Sequence, residues 1–149
     1  LLVMRDALCP EMREALIKAT KKRFTGRVFT RGIYAVTDGR HFESPAEVAM
    51  MSGHADIVGQ SIAPEVYLAR EIGACYAGPY FTVNYGEGIR KAWSHQDMAD
   101  IFYDDAPMIG EIILETIRTV DADDRHCECL SLRKETLLKD VYNEVSSKG

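Results

Sequence analysis

Two short runs of β-branched and aromatic residues, each closed by a turn and followed by a proline-opened helix, set the strongest limit on the fold. Ile33-Tyr34-Ala35-Val36-Thr37 reads as a buried strand stopped by the turn pair Asp38-Gly39. Ser44-Pro45-Ala46-Glu47 has the form of a capping box with proline at the first helical position, opening a short helix through about Met51. Asp56-Ile57-Val58-Gly59 reads as a second short strand. Pro64 then opens a helix through Tyr67-Leu68-Ala69-Arg70, with Gly73 as its C-terminal cap. Such alternation predicts an α/β layer structure, in which ligands bind beyond the carboxyl ends of the strands.

The flanking segments extend this pattern. Pro10 opens a helix whose Met12, Ala15, Leu16 and Ala19 repeat at helical spacing. A third apolar run, residues 74–83, is interrupted by Gly78-Pro79, which predicts a bulge or bend rather than a straight central strand. Asn84-Tyr85-Gly86-Glu87-Gly88 follows as a loop. From about Gln96 a long amphipathic helix is expected, with Met98, Ile101, Phe102, Ile109, Ile112, Ile113 and Ile117 on one side and a kink at Pro107. Asp121-Ala122-Asp123-Asp124 breaks it, and a last helix is expected over residues 134–145. The sequence contains no internal repeat and no linker-like stretch.

The 149 residues suit one domain, residues 1–149, since domains run to roughly 100–200 residues. Hydrophobic residues at 46% and charged residues at 28% are ordinary for a globular chain and exclude a disordered or fibrous one. No apolar run reaches membrane-spanning length, and the first residues lack the pattern of a signal peptide, so the expected location is cytoplasmic, without a membrane partner. The net charge of −5 is uneven, because residues 1–31 carry eight Lys/Arg against three acids. Lys18, Lys21, Lys22, Arg23, Arg27 and Arg31 have the charge for a phosphate or nucleic-acid contact. Only Phe24 and Phe29 interleave with them, however, and the acidic remainder repels a polyanion. A solvated helix end is the reading taken, with no nucleic-acid partner.

Cys9, Cys75, Cys127 and Cys129 are too few and too scattered for a disulfide scaffold. Cys75 sits in an apolar run, as a reduced core thiol would. The cluster His126-Cys127-Glu128-Cys129 lacks a second Cys/His pair at zinc-finger spacing, so no metal is expected there. A Cys127–Cys129 disulfide would close a very small, strained ring, and free thiols are the plainer alternative.

The loops after the three apolar runs converge on one edge of an open sheet, where a pocket would form. They offer Phe42 for stacking, Glu43 as a carboxylate, Ser61 as a hydroxyl and Asn84 as a paired donor and acceptor. These groups suit a heterocycle with both donor and acceptor edges. Each also has a structural role open to it: Phe42 as a core plug, Glu43 as a helix N-terminal charge, Ser61 as a cap, Asn84 as a turn former.

At this point the residues resemble a known family. Arg31-Gly32-Ile33-Tyr34-Ala35-Val36-Thr37-Asp38-Gly39-Arg40-His41-Phe42-Glu43-Ser44-Pro45-Ala46-Glu47 is similar to the purine nucleoside phosphorylase and methylthioadenosine phosphorylase family, which reads approximately T-E-G-P-R-F-E-T-P-A-E after a strand. Residues 56–71, with Val58-Gly59-Gln60-Ser61 and Pro64-Glu65-Val66-Tyr67-Leu68-Ala69-Arg70-Glu71, resemble its V-G-M-S/T-x-x-P-E-V-x-L-A-R-E. Tyr80-Phe81-Thr82-Val83-Asn84-Tyr85 matches the strand that ends in the family's purine-reading Asn or Asp. The three blocks occur in the family's order, across roughly residues 8–130.

The resemblance implies a three-layer αβα fold with a mixed central sheet, here without the first half of the family fold. It implies a pentosyltransferase that uses inorganic phosphate as co-substrate, needs no cofactor, and forms a trimer or hexamer. Phe42, Val58 and Gln60 would line the nucleoside, and His95 would approach the sugar 5′ group. Glu43 would accept from a ring N–H, Asn84 would bond the N7/O6 edge, and Ser61 would bind phosphate near the helix begun at Pro64. Asn84 in place of Asp implies a 6-oxopurine. The Cys-x-Cys pair also recurs in some family members, which favours a Cys127–Cys129 disulfide. Arg40 and His41 replace the family's Pro and Arg, and Gln60 replaces its Met. Since the family's first half supplies most phosphate ligands, activity would need that half; a non-catalytic nucleoside-binding or oligomerisation module is the alternative.

Overall fold

A computed structural model describes residues 1–90 and 94–134. Six elements follow in order: α1 Pro10–Arg23, β1 Tyr34–Val36, α2 Pro45–Ser52, β2 Ile57–Gly59, α3 Glu65–Glu71 and α4 His95–Thr119. The expected helix over residues 134–145 falls, apart from Lys134, outside the described residues.

The starts of the helices follow the local chemistry. Pro10 occupies the first turn of α1, where its missing N–H costs nothing. Ser44 caps α2 by accepting from the Glu47 N–H, while the Glu47 carboxylate accepts from the Ser44 N–H at 2.7 Å. Ser94 and Asp97 form the same reciprocal box at the start of α4. Pro64, expected inside α3, instead precedes it as the N-cap, after a cis Ala63–Pro64 peptide bond. Gly73 lies just past the end of α3 with φ +70°, a backbone conformation that favours glycine.

β1 and β2 pair in parallel, with Tyr34 opposite Ile57 and Val36 opposite Gly59, and α2 forms the crossover. Of the mixed sheet expected, this parallel pair is what the described residues contain. Residues 74–83 run alongside without strand pairing. Pro79 lacks a backbone donor there, and the Tyr76 carbonyl accepts instead from the Cys9 N–H at 2.7 Å. Tyr80 packs its ring on Tyr34, with centroids 5.1 Å apart, which holds this segment beside β1.

The second packed unit is α1 against α4, where Leu16, Ala19 and Ile112 form a buried cluster flanked by Phe24, Ala77 and Met108. Lys22 and Arg23 pair with Glu115 of α4, and Arg23 also faces Glu111 at 3.9 Å. Two cations of the basic segment are thus neutralised inside the chain. The periodic face expected on α4 is only partly buried: Ile112 is covered, whereas Phe102 is 52% and Ile117 66% exposed. α4 runs on through Pro107. Among the described residues no helix is long and apolar enough to cross a membrane.

Candidate functional site

The carboxyl ends of β1 and β2 lie side by side, and the Thr37 N–H donates to the Gly59 carbonyl at 3.0 Å. Two loops leave from this edge, one carrying residues 38–44 and the other residues 60–64. Glu43 stands between them, half-buried. Its Oε1 accepts from the Thr37 hydroxyl and, at 3.2 Å, from Gln60 Nε2. Burial acts to raise the Glu43 pKa, but the Thr37 hydroxyl, the residue's own N–H and the Gln60 amide outweigh it, and the carboxyl sits below its ordinary range. The result is an oriented, ionised acceptor at the strand ends.

Gln60, expected to line the nucleoside, donates its amide to the His41 carbonyl at 3.1 Å as well as to Glu43. One side chain thereby ties the loop after β1 to the loop after β2. Arg40 pairs with Asp38 at 2.7 Å, and His41 meets Glu47 at 3.4 Å, so both departures from the family pattern have local surface partners.

The third loop reaches the same region. A Cβ built on Gly88 would lie 2.8 Å from the Pro45 side chain, and one on Gly86 would lie 3.0 Å from Val48. Residues 86–88 therefore rest on the start of α2, close in sequence to Glu43. Asn84, two residues earlier, is exposed, and its Nδ2 donates to the Tyr85 carbonyl at 3.0 Å. Phe42 is 66% exposed at the same edge, and Val58 is half-buried within β2.

Ser61 and His95 are less engaged. Ser61 is exposed and makes no hydrogen bond among the described residues. The helix it was expected to exploit offers little to an anion, since the Val66 N–H is bonded to the Ile62 carbonyl and Glu65 puts a carboxylate in the first turn. His95 opens α4, exposed, and none of its contacts among the described residues joins it to Glu43, Ser61 or Asn84. Sequence reasoning missed Thr37, whose hydroxyl orients Glu43; its place at the end of a strand, beside the turn, was the available signal.

A second constellation lies elsewhere. Cys9 at the N-cap of α1, Cys75 after α3, and Cys127 and Cys129 bring their four Sγ atoms within 4.8 Å of one another. All four thiols are unbonded, so Cys127 and Cys129 take the free-thiol alternative rather than the disulfide that the resemblance favoured. Cys127 and Cys75 stand 3.4 Å apart. Burial, helped by Cys127 and Cys9, pushes the Cys75 thiol up to about 11. Burial also acts to raise Cys127, but the Cys129 N–H and the neighbouring thiols bring it below its ordinary value. A cleft of about 270 Å³, lined in part by Pro10, Glu11, His126, Cys127 and Cys129, opens beside the cluster.

A family profile described as the phosphorylase superfamily matches residues 1–118. A probable 6-oxopurine nucleoside phosphorylase of Dictyoglomus turgidum is 33% identical over 128 residues, 85% of this chain and 48% of that protein. A probable S-methyl-5′-thioinosine phosphorylase of Methanosarcina acetivorans is 34% identical over 125 residues, 83% of this chain and 47% of its own length. The crystal structure of a double mutant of adenosine/methylthioadenosine phosphorylase from Schistosoma mansoni, in complex with adenine, shares the fold with a TM-score of 0.78 at 20% identity, over 89% of this chain and 54% of that one. The chain thus spans about half the length of the curated relatives it matches.

Proposed function

The chain belongs to the phosphorylase superfamily, and from that footing we propose that it carries the base-reading part of a purine nucleoside phosphorylase acting on a 6-oxopurine nucleoside. The reaction would be phosphorolysis, in which phosphate attacks the anomeric carbon while the glycosidic bond breaks, giving the purine base and a pentose 1-phosphate. The observation that carries this reading is Glu43, held ionised by Thr37 and Gln60 at the carboxyl ends of two parallel strands. A fixed carboxylate accepts the N1–H of the six-membered ring, which hypoxanthine and guanine present and adenine lacks.

Negative charge builds on the departing purine, so a donor aimed at O6 and N7 binds the transition state better than the ground state. Asn84 is the residue we assign to that donor, once its amide turns from the Tyr85 carbonyl to the base. Phe42 and Val58 form the apolar side of the same pocket, with Gln60 as its clamp. Ser61, exposed and without a hydrogen bond among the described residues, is assigned to phosphate, and His95 to the sugar 5′ end. One hydroxyl does not hold a dianion, which needs several donors and a balancing cation. We place those in the half of the relatives' length that this chain does not span, supplied in cis or by another copy in a homo-oligomer. Relatives are named for methylthio-nucleosides as well as for 6-oxopurine nucleosides, so the proposed substrate carries a 5′ hydroxyl or a 5′ methylthio group. No cofactor is required, and a cytoplasmic location fits this chemistry.

The test is equilibrium binding of hypoxanthine, guanine and adenine to the chain, before and after Asn84→Asp. Each buried polar group left unpaired costs about 1–3 kcal/mol, so the 6-oxopurines should bind at least about fivefold tighter. Asn84→Asp should move the preference toward adenine, because a carboxylate repels O6 but accepts from an amino group. Equal affinity for all three bases in both proteins would refute the assignment and leave Asn84 as a turn residue.

A further inference from the structure

We propose that Cys9, Cys75, Cys127 and Cys129 form a tetrathiolate site for a structural zinc ion. Zinc bonds thiolate at about 2.3 Å in a tetrahedron, which sets the four sulfurs about 3.8 Å apart. The four Sγ atoms already lie within 4.8 Å of one another, at most about an ångström wider than that tetrahedron. Three pieces of chain, distant in sequence, bring all four cysteines of the sequence to one point. An iron–sulfur cubane interposes a metal–sulfide cage between its cysteines and needs them wider apart than this.

The surroundings fit the charge of the complex. Four thiolates around Zn²⁺ leave a net charge of −2, which needs cations nearby. Arg70 is only 3% exposed, yet its guanidinium meets backbone carbonyls alone, those of Cys129 at 3.1 Å and Asp6 at 2.9 Å. No carboxylate pairs with it among the described residues. A buried cation without a counter-charge is costly, and an anionic metal centre beside it supplies one. Arg125 Nη1 reaches Cys75 Sγ at 4.0 Å. Cys9 and Cys129 are both buried, and with four protein ligands no position is left for water, as in structural zinc sites. His126 is not a ligand, since its exposed ring pairs with Asp124 at 3.4 Å. On binding, each thiol exchanges its proton to solvent for a Zn–S bond, so neither oxidant nor reductant is needed. The ion would pin the entry to α1, the segment after α3, and residues 127–129 together.

The experiment is metal analysis of the chain purified under reducing conditions, followed by cobalt substitution of the stripped protein. One zinc per chain is expected. Co²⁺ should give intense thiolate-to-cobalt charge-transfer bands with tetrahedral ligand-field bands, abolished stoichiometrically by Zn²⁺. Cys75→Ser should weaken these bands and the affinity. Arg125→Gln, at an exposed side chain, should lower zinc affinity about 10–100-fold, as loss of a partner beside a metal ligand does, with the urea midpoint of the metal-free chain read alongside to separate loss of the Gly73 contact. Substoichiometric zinc with four free thiols, a weak octahedral cobalt spectrum, a stoichiometric iron centre, or a metal-free chain holding two disulfides would each overturn the proposal.

Discussion

Gly59 ends β2 under the ring of Tyr34, and that contact makes a sharp test of the packing at the strand ends. A Cβ on Gly59 would lie 2.1 Å from Tyr34 Oη and 2.9 Å from its Cζ, both closer than side chains approach. The ring has little room to yield, because Tyr80 packs on it with centroids 5.1 Å apart and planes tilted by 60°. Gly59→Ala should therefore strain the β1–β2 pair and cost about 1–3 kcal/mol, the usual range for an overpacked site. In urea unfolding the midpoint should fall by about 1 M with an unchanged slope. The mechanism is separable from general damage to a strand. Tyr34→Phe removes Oη and leaves Cζ as the nearest atom, so the alanine should cost less in that background. A double-mutant cycle should give a coupling of about 0.5–3 kcal/mol. Equal destabilisation with and without the hydroxyl, or a neutral Gly59→Ala, would refute the reasoning.

Two further expectations concern the helices. Ser44→Ala removes the side-chain oxygen that accepts from the Glu47 N–H, and should lower unfolding free energy by about 1 kcal/mol, read as a reduced urea midpoint. For pH, hydrogen bonds from Lys22 and Arg23 hold the Glu115 carboxyl down to about 2. A depressed carboxylate stabilises the fold fully above its unfolded pKa of about 4.3, and the contribution is lost as pH falls from there toward 2. Acid titration of unfolding should show that loss, and Glu115→Gln should flatten the curve across this window.

What the sequence made legible is what short-range chemistry decides. Ser44-Pro45-Ala46-Glu47 named a helix start without reference to anything distant, and the cap forms as read. The two strands were legible as β-branched runs with a helix between them, and the structure adds that they pair in parallel. Gln60 was legible as a departure from the family pattern but not in its role, because the direction of its amide depends on loops meeting from two strands. The face of α4 shows another limit: periodicity tells which side of a helix is apolar, not whether anything covers it, and Phe102 and Ile117 stay exposed. The four cysteines were hidden for a related reason, since local spacing, which reveals a finger, says nothing of thiols gathered from three remote segments.

Arg70 joins carbonyls 64 positions before it and 59 after it, at Asp6 and Cys129. Beside it Val3 donates to Leu132 at 3.0 Å, and Leu2 bridges to Arg133. Closing loops of this length carries an entropic cost before any contact rewards it, and rates fall as contacts grow less local. The capped helices can thus form within microseconds, while the seam between the chain's first residues and residues 128–134 must wait for the search of the whole chain. Until it closes, Arg70 remains solvated and the cysteines stay apart. The closure that brings Asp6 and Cys129 to Arg70 is also the one that brings Cys9 and Cys129 into one cluster.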